Sequence, residues 1–123
     1  MSEHCEVRFT QAAEKELNSV AARDPKRALI IRALVAQVEE NGWKLSTKSE
    51  VIKVLRNQTC VAEIRDLGSG GYRLFLFWYE RERVRELWVC RVLPKQDVVG
   101  RKRISKICDA VEKVRERFLK EQE

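Results

Sequence analysis

Metal-binding side chains are scarce and widely spaced in this sequence. The chain of 123 residues has one histidine, His4, and its four cysteines stand far apart at positions 5, 60, 90 and 108. A zinc site draws on closely spaced pairs of ligands, and no CxxC pair occurs. We therefore expect no metal and no cofactor, and we interpret the cysteines as reduced, small apolar residues of a cytosolic protein.

Long apolar runs are also missing. No run approaches the roughly 18 residues that a membrane-spanning helix needs, and the opening residues MSEHCEVRFT contain no apolar stretch of the signal-peptide type. The hydrophobic fraction of 44% and the length fit one domain with one core, residues 1–123. The sequence thus predicts a soluble, cytoplasmic protein without a membrane partner.

Positive charge is in excess, with 25 Lys and Arg against 19 Asp and Glu, a formal net charge of +6. In a small domain this favours an anionic partner such as nucleic acid or an acidic protein segment, although it also serves solubility. Part of the excess lies at Arg101, Lys102 and Arg103, where a helix is expected to begin. Because the helix dipole prefers anions at its N-terminus, a basic start is more favourable when an anion is bound there.

Helix signals follow a short alternating strand at residues 4–9. Thr10 is a candidate N-cap, and Asp24-Pro25 ends one helix and starts the next. Apolar residues at helical spacing continue to Asn41-Gly42, a helix stop of the left-handed type. These helices are expected to form a hairpin whose apolar face packs against a sheet. The basic segment 43–59 is less regular and predicts a short helical or extended piece at a sheet edge.

Three strand-forming runs follow in tandem. They cover residues 61–67, 72–79 and 84–93, separated by the turn sequence GSGG and the charged tip ERER. The middle run is apolar on both faces apart from Arg73, which predicts a central strand. An amphipathic helix over residues 99–122 completes an α+β fold: an antiparallel sheet of about four strands, with the N-terminal helical hairpin and the C-terminal helix packed on it.

Each strand run carries an arginine: Arg65, Arg73 and Arg91. A buried strand has little use for arginine unless the sheet meets an anion, because an unpaired buried charge is costly. For Arg65 an ion pair with Glu63 or Asp66 is the simpler alternative. Since neighbouring strands lie about 5 Å apart, we expect the arginines and Lys95 to converge on one surface beside the basic start of the last helix.

Three strings in this order resemble the RelE/ParE superfamily of toxins from bacterial type II toxin–antitoxin pairs. They are VAEIRD at 61–66, GGYRLFLF at 70–77 and LWVCRVLPKQD at 87–97. The resemblance extends to the helical hairpin and the last helix, and it implies a RelE-like fold. RelE-like and HigB-like members cut mRNA in the ribosomal A site, whereas ParE-like members poison DNA gyrase. Both kinds are held inactive by an antitoxin that wraps them.

The resemblance to RelE-like and HigB-like members implies a translation-dependent mRNA endoribonuclease. Its partners would be mRNA on the ribosome and an acidic or amphipathic antitoxin. The reaction uses the RNA 2′-hydroxyl as nucleophile, so it needs a proton acceptor, cations for the phosphate and a proton donor. By motif position the resemblance assigns catalytic roles to Arg73, Arg91 and Lys95. The RNA- and phosphate-binding candidates are other basic side chains near these strands and at the start of the last helix: Lys53, Arg65, Arg101, Lys102 and Arg103.

Two departures from the RelE-like pattern leave the general acid and base unassigned. Val61 and Glu63 stand where RelE-like members carry lysines, and no tyrosine follows Tyr79. The string CRVLPKQD is similar to ParE-like sequences, with Pro94 in the place of their histidine. A gyrase poison and a catalytically inactive binding protein of the same fold are therefore the alternative functions.

Overall fold

The structure, a computed structural model, describes residues 4–122, which form strands and helices in the order expected for an α+β protein. The strands are β1 (His4–Phe9), β2 (Ile52–Arg56), β3 (Val61–Arg65), β4 (Tyr72–Arg81) and β5 (Val84–Pro94). The helices are α1 (Gln11–Arg23), α2 (Pro25–Lys48) and α3 (Arg101–Glu121), and a 3-10 turn covers Lys95–Asp97. The α+β class is confirmed.

The strands of the described residues form one five-stranded sheet in the order β1-β5-β4-β3-β2. Strands β2 to β5 are antiparallel neighbours, with β4 at the centre as predicted, whereas β1 pairs with β5 in parallel. The prediction of an antiparallel sheet of about four strands was therefore wrong in strand number and in uniform direction. The additional strand is β2, which realises the extended, sheet-edge alternative given for the segment 43–59; its pairing is irregular between Val54 and Arg56.

The helical hairpin begins with the two caps that the sequence predicted. The Thr10 hydroxyl accepts from the amide of Ala13 at 3.2 Å, and the Asp24 carboxylate accepts from the amide of Arg27 at 3.1 Å. The predicted stop at Asn41-Gly42 is confirmed, since Gly42 adopts the non-helical angles φ +82° and ψ 176°. What the sequence did not predict is that a short second helical stretch follows directly and runs as far as Lys48. After the stop Trp43 packs on Trp78 with ring centroids 4.9 Å apart, which gives the added stretch an apolar anchor.

Helices cover both faces of the sheet. Alternate residues of β4 point to opposite faces, so Leu74 and Leu76 pack under α1 and α2, while Phe75 and Phe77 pack under α3. This explains why the central strand is apolar on both faces. The sheet therefore has a hairpin face and an α3 face, and the candidate site lies on the α3 face.

Three of the four cysteines belong to these cores. Cys5, Cys90 and Cys108 are buried, none of the four cysteines forms a disulfide in the described chain, and burial raises the pKa of Cys90 to about 12. Such thiols behave as small apolar side chains rather than as nucleophiles. Across residues 4–122, no helix is both long and apolar enough to cross a membrane.

Candidate nucleic-acid interface

Two arginines face each other across the pairing of β3 with β4. The register places Arg65 directly opposite Arg73, and alternation puts both side chains on the α3 face, the face of Phe75. Like charges directly opposite on one face of a sheet are destabilising. The opposite charge nearby on this face is that of Glu63, which interacts electrostatically with both arginines.

Backbone carbonyls hold both guanidinium groups. Arg65 donates from Nε and Nη2 to the carbonyl of Glu50, at 2.9 and 2.7 Å. Arg73 donates from Nη1 to the carbonyl of Asp66, at 2.9 Å, and more weakly to that of Tyr72. Within residues 4–122, no carboxylate lies within 4.0 Å of either guanidinium, so neither of the ion pairs considered for Arg65 forms. The carbonyls fix the two orientations, and neither guanidinium has a carboxylate in direct contact.

The turn between β3 and β4 is fixed by contacts that converge on Asp66. Its carboxylate accepts from Arg27 of α2 at 2.8 Å, and Arg27 also donates to the Ser69 carbonyl at 2.6 Å. Gly71 packs so closely that a Cβ there would overlap the Asp66 carbonyl oxygen. Because that same oxygen accepts from Arg73, the turn sets where the Arg73 guanidinium lies.

A buried carboxyl group lies beside the two arginines. Glu63 shares their face of β3, stands directly opposite Lys53 of β2, and is only 8% exposed. Burial raises the pKa of Glu63, and the nearby charges of Arg73, Arg65 and Lys53 oppose that rise without cancelling it. We call Lys53, Glu63, Arg65 and Arg73 the cationic cluster.

Further basic residues lie at the same end of the sheet. The amide of Lys95 donates to the Gly71 carbonyl, at 3.0 Å, which places Lys95 next to the turn that holds Arg73. Arg103 donates to the Asp97 carbonyl, at 3.1 Å, so α3 starts close to that strand end, with Arg101 and Lys102 also exposed. The structure thus brings seven of the eight predicted residues to one end of the sheet, in the cluster or next to it.

Arg91 lies apart from the others. Its guanidinium forms an ion pair with Glu16 of α1, at 3.1 Å, and Glu16 also accepts from the amide of Val92. Arg91 lines a cavity of about 330 Å³ between α1 and α3, together with Cys90 and Val114. The opposite side of α3 carries Asp109 and Glu112, which pair with Arg56 of β2. Since α3 lies between Arg91 and the cationic cluster, the expected convergence on one surface is not found.

Sequence reasoning missed Glu63, Asp66 and Arg27 as parts of the site. Glu63 had a visible signal, since it is the single acid inside the otherwise apolar start of a strand, VAEIR. Arg27 had no signal in the sequence, because it lies 39 positions from Asp66 and contacts it only through the docking of α2 on the sheet. The described residues contain no group of three His, Cys, Asp or Glu side chains that could hold a metal ion.

Comparisons with known proteins add no assignment to this geometry. No family model matches the chain. Searches of curated proteins and of solved structures likewise returned no match. The resemblance to the RelE/ParE superfamily consequently stays a prediction from the sequence.

Proposed function

We propose that this protein binds RNA phosphates at the cationic cluster and cuts mRNA during translation, as a RelE-like toxin of a type II toxin–antitoxin pair. One observation carries the proposal: Arg65 and Arg73 stand opposite each other, fixed by carbonyls and without a carboxylate within 4.0 Å in the described chain. An anion between or above them removes the repulsion that the fold leaves in place.

A phosphodiester suits this pair better than a single carboxylate does. Directly opposed residues of antiparallel strands have Cβ atoms about 4.5–5.5 Å apart, so one phosphate or two successive ones would meet both side chains: Arg65, which is half-buried, and the exposed edge of Arg73, which is 8% exposed. Planar guanidinium groups donate in pairs to phosphate oxygens, and such charge-assisted hydrogen bonds are roughly twice as strong as neutral ones. The exposed Lys53, Lys95 and start of α3 extend the positive surface along a chain of phosphates.

Arginines without a carboxylate in direct contact also suit phosphoryl chemistry. Attack of a 2′-hydroxyl on the neighbouring phosphorus builds negative charge on the phosphate oxygens, and preorganised donors stabilise that charge. Arg65 and Arg73 are preorganised because Glu50, Asp66 and Tyr72 already fix their orientation. Arg91 is left outside this proposed phosphate site, since Glu16 neutralises it on the far side of α3.

The antitoxin in this proposal is an acidic or amphipathic segment that covers the cationic cluster. Its carboxylates would replace the RNA phosphates at Arg65 and Arg73, which blocks the site without a change of fold. The proposed setting is the cytoplasm, with mRNA on the ribosome as substrate.

Induced expression tests the proposal. Primer extension on a translated message should reveal new 5′ ends within minutes of induction, and an untranslated copy of that message should show none. Arg65→Gln should abolish the new ends, because it removes the charge and keeps most of the side-chain volume. Arg65 is the sharper position, since it is only half-buried whereas Arg73 is 8% exposed; because Arg65 also donates to the Glu50 carbonyl, the folded stability of the variant is measured alongside.

The control variant is Arg56→Gln, which removes an arginine that Asp109 and Glu112 already neutralise. It should cut like the wild type. Intact transcripts together with broken DNA and a damage response would contradict the ribonuclease function and support a gyrase poison instead. Growth without arrest, with folded protein present, would leave a binding protein and contradict the toxin function.

A further inference from the structure

Helix α2 is apolar on the side that faces away from the sheet as well as on the side that faces it. The stretch ALIIRALVAQV, residues 28–38, has only two polar members, Arg32 and Gln37. Its inner side packs in the core of the hairpin face through residues such as Ile31 and Val38. A helix that is apolar all round is normally buried all round, so the outer side of α2 is expected to have a cover too.

Four apolar side chains form an outer stripe on α2, before the stop at Gly42. Leu29 is 67% exposed and Ile30 is 45% exposed. Ala33 and Ala36 are exposed beside them, at the spacings of three and four residues that bring side chains together on one side of a helix. Single exposed apolar residues are ordinary, whereas a contiguous apolar stripe marks a surface that meets a partner.

The charges at the two ends of the outer stripe show which partner it fits. Lys26 and Glu40 are two heptads apart, so both lie on the outer side of α2, with Ala33 midway between them. Both are exposed, and among residues 4–122 neither forms an ion pair within 4.0 Å. A stripe with a base at one end and an acid at the other is complementary to its own copy in the antiparallel orientation.

We propose that two copies of this chain associate through the outer stripe of α2, with the two helices antiparallel and a two-fold axis at Ala33. This symmetry brings Lys26 of each copy opposite Glu40 of the other, so that two equivalent ion pairs form, one at each end. The ion pairs fix the orientation of the helices, and burial of the apolar stripe supplies the affinity.

The side chains between the ion pairs suit this arrangement by size. With Ala33 on the axis, Ile30 of one copy lies opposite Ala36 of the other, and Leu29 lies opposite Gln37. Each large branched side chain thus meets a small or a flexible one. Short side chains at the middle of the stripe allow the two helices to approach to about 8 Å, the lower end of the usual distance between packed helices.

The dimer leaves the cationic cluster of each copy accessible. Helix α2 packs on the hairpin face of the sheet, whereas the cluster belongs to the α3 face. The two α3 faces therefore point away from each other, and each copy keeps its own surface for RNA. The dimer consequently does not depend on the proposed function, and a protein that cuts no RNA would form it equally well.

Sedimentation velocity across the micromolar range of protein concentration measures the dissociation constant of the dimer. Ala33→Glu brings two carboxylates together on the two-fold axis, so it should weaken the dimer by at least about 100-fold. Ala33 is exposed and glutamate is a good helix former, so the variant should stay folded, and circular dichroism checks this.

Exchanging the end charges tests the antiparallel orientation. Lys26→Glu and Glu40→Lys should each weaken the dimer about tenfold, because each replaces two ion pairs by two contacts between like charges. The double variant Lys26→Glu/Glu40→Lys restores opposite charges at both ends with the net charge of the wild type, and it should associate as tightly as the wild type does.

Lys113→Glu is the matched control for the change in net charge. Lys113 is exposed on α3, which covers the other face of the sheet, and its substitution alters the charge by as much as Lys26→Glu does. The dissociation constant of this variant should stay within about twofold of the wild type.

Each other outcome overturns the proposal. A wild-type protein that stays monomeric throughout the concentration range has no such dimer, and a helix from another protein would then be the cover of the stripe. A dimer that Ala33→Glu does not weaken forms through another surface. A loss in both single charge variants without recovery in the double variant contradicts the antiparallel arrangement.

Discussion

The arginine side chains on the two sides of α3 make different contacts. On the side of β2 and β3, Arg65 and Arg73 are oriented by carbonyls and their charges are left without a carboxylate within 4.0 Å in the described chain. On the side of α1, Arg91 pairs with Glu16 at 3.1 Å beside an apolar cavity. All three arginines lie in strands and have similar neighbours in the sequence. The second side uses its arginine to hold α1 on the sheet, whereas the first side is where we propose that phosphates bind.

Disturbing the turn that seats Arg73 should have the largest effect. In Gly71→Ala the new Cβ would overlap the carbonyl oxygen of Asp66, so the turn must move, and we expect a loss of about 3 kcal/mol in the free energy of unfolding together with weaker RNA binding. Gly68→Ala is the control in the same turn, since its Cβ would make ordinary contacts of 3.5 and 3.7 Å. Denaturant titration measures both, and equal stability losses would contradict the stated role of Gly71.

Charge reversal separates the two sides of α3 directly. Arg65→Glu should weaken binding of a single-stranded RNA oligonucleotide by about 100-fold at low salt, because a phosphate contact becomes a repulsion. Arg117→Glu changes the net charge equally, but Arg117 lies by the cavity on the α1 side. Arg117→Glu should lower the affinity for RNA by less than about threefold. Fluorescence anisotropy measures the affinities, and similar losses from the two variants would show that only net charge matters.

Removing the partner of Arg91 should change stability instead of RNA binding. Glu16→Ala takes away both the ion pair of Arg91 and the acceptor of the Val92 amide. An unsatisfied buried donor costs about 1–3 kcal/mol, so we expect a loss of about 2 kcal/mol in the free energy of unfolding. RNA affinity of the folded variant should stay within about twofold of the wild type. A loss of affinity without a loss of stability would move Arg91 into the binding site.

The smallest effect concerns Glu63 and has an unusual sign. Because burial raises its pKa, the folded chain holds this proton more tightly than the unfolded chain. The Glu63 side chain therefore stabilises the folded state at acidic pH. This stabilisation is lost as the pH rises from the ordinary pKa of the side chain, 4.5, through its raised pKa in the folded chain. Glutamine does not titrate. The free energy of unfolding of Glu63→Gln, relative to that of the wild type, should therefore increase as the pH rises, by less than about 1 kcal/mol. Denaturation at about pH 4 and pH 7 measures this. A variant clearly less stable at pH 7 would make Glu63 a structural counter-ion.

Local signals in the sequence were enough for most of the fold. Thr10 and Asp24 cap their helices as predicted, and the two-sided apolarity of residues 72–79 located the central strand. The segment 43–59 was predicted only as a helical or extended piece at a sheet edge, and the structure contains both: a short helical stretch after the stop at Gly42, then the edge strand β2. The choice was open because the register of β2 shifts between Val54 and Arg56, and because the helical stretch is anchored by Trp78, which is distant in sequence.

The candidate site was predictable only in part, because residue type does not reveal what a side chain contacts. Arg65, Arg73 and Arg91 look alike in the sequence, and the ion pair that separates Arg91 from the others joins positions 75 residues apart. That contact depends on how α1 docks against β5. The neighbours Lys53 and Arg73 became visible as partners of Glu63 only once strand register was known.

The parallel pairing of β1 with β5 has a consequence for how the chain reaches this structure. His4 pairs with Val84, 80 positions later, so the strand nearest the start of the chain has no partner until nearly all the other elements exist. Closing so long a loop costs entropy before any contact compensates for it, whereas β3, β4 and β5 pair through short connections. During synthesis the strands of the meander can pair soon after each is made, whereas β1 cannot pair until residues 84–89 of β5 have been made. The first strand of the chain is thus among the last to be paired.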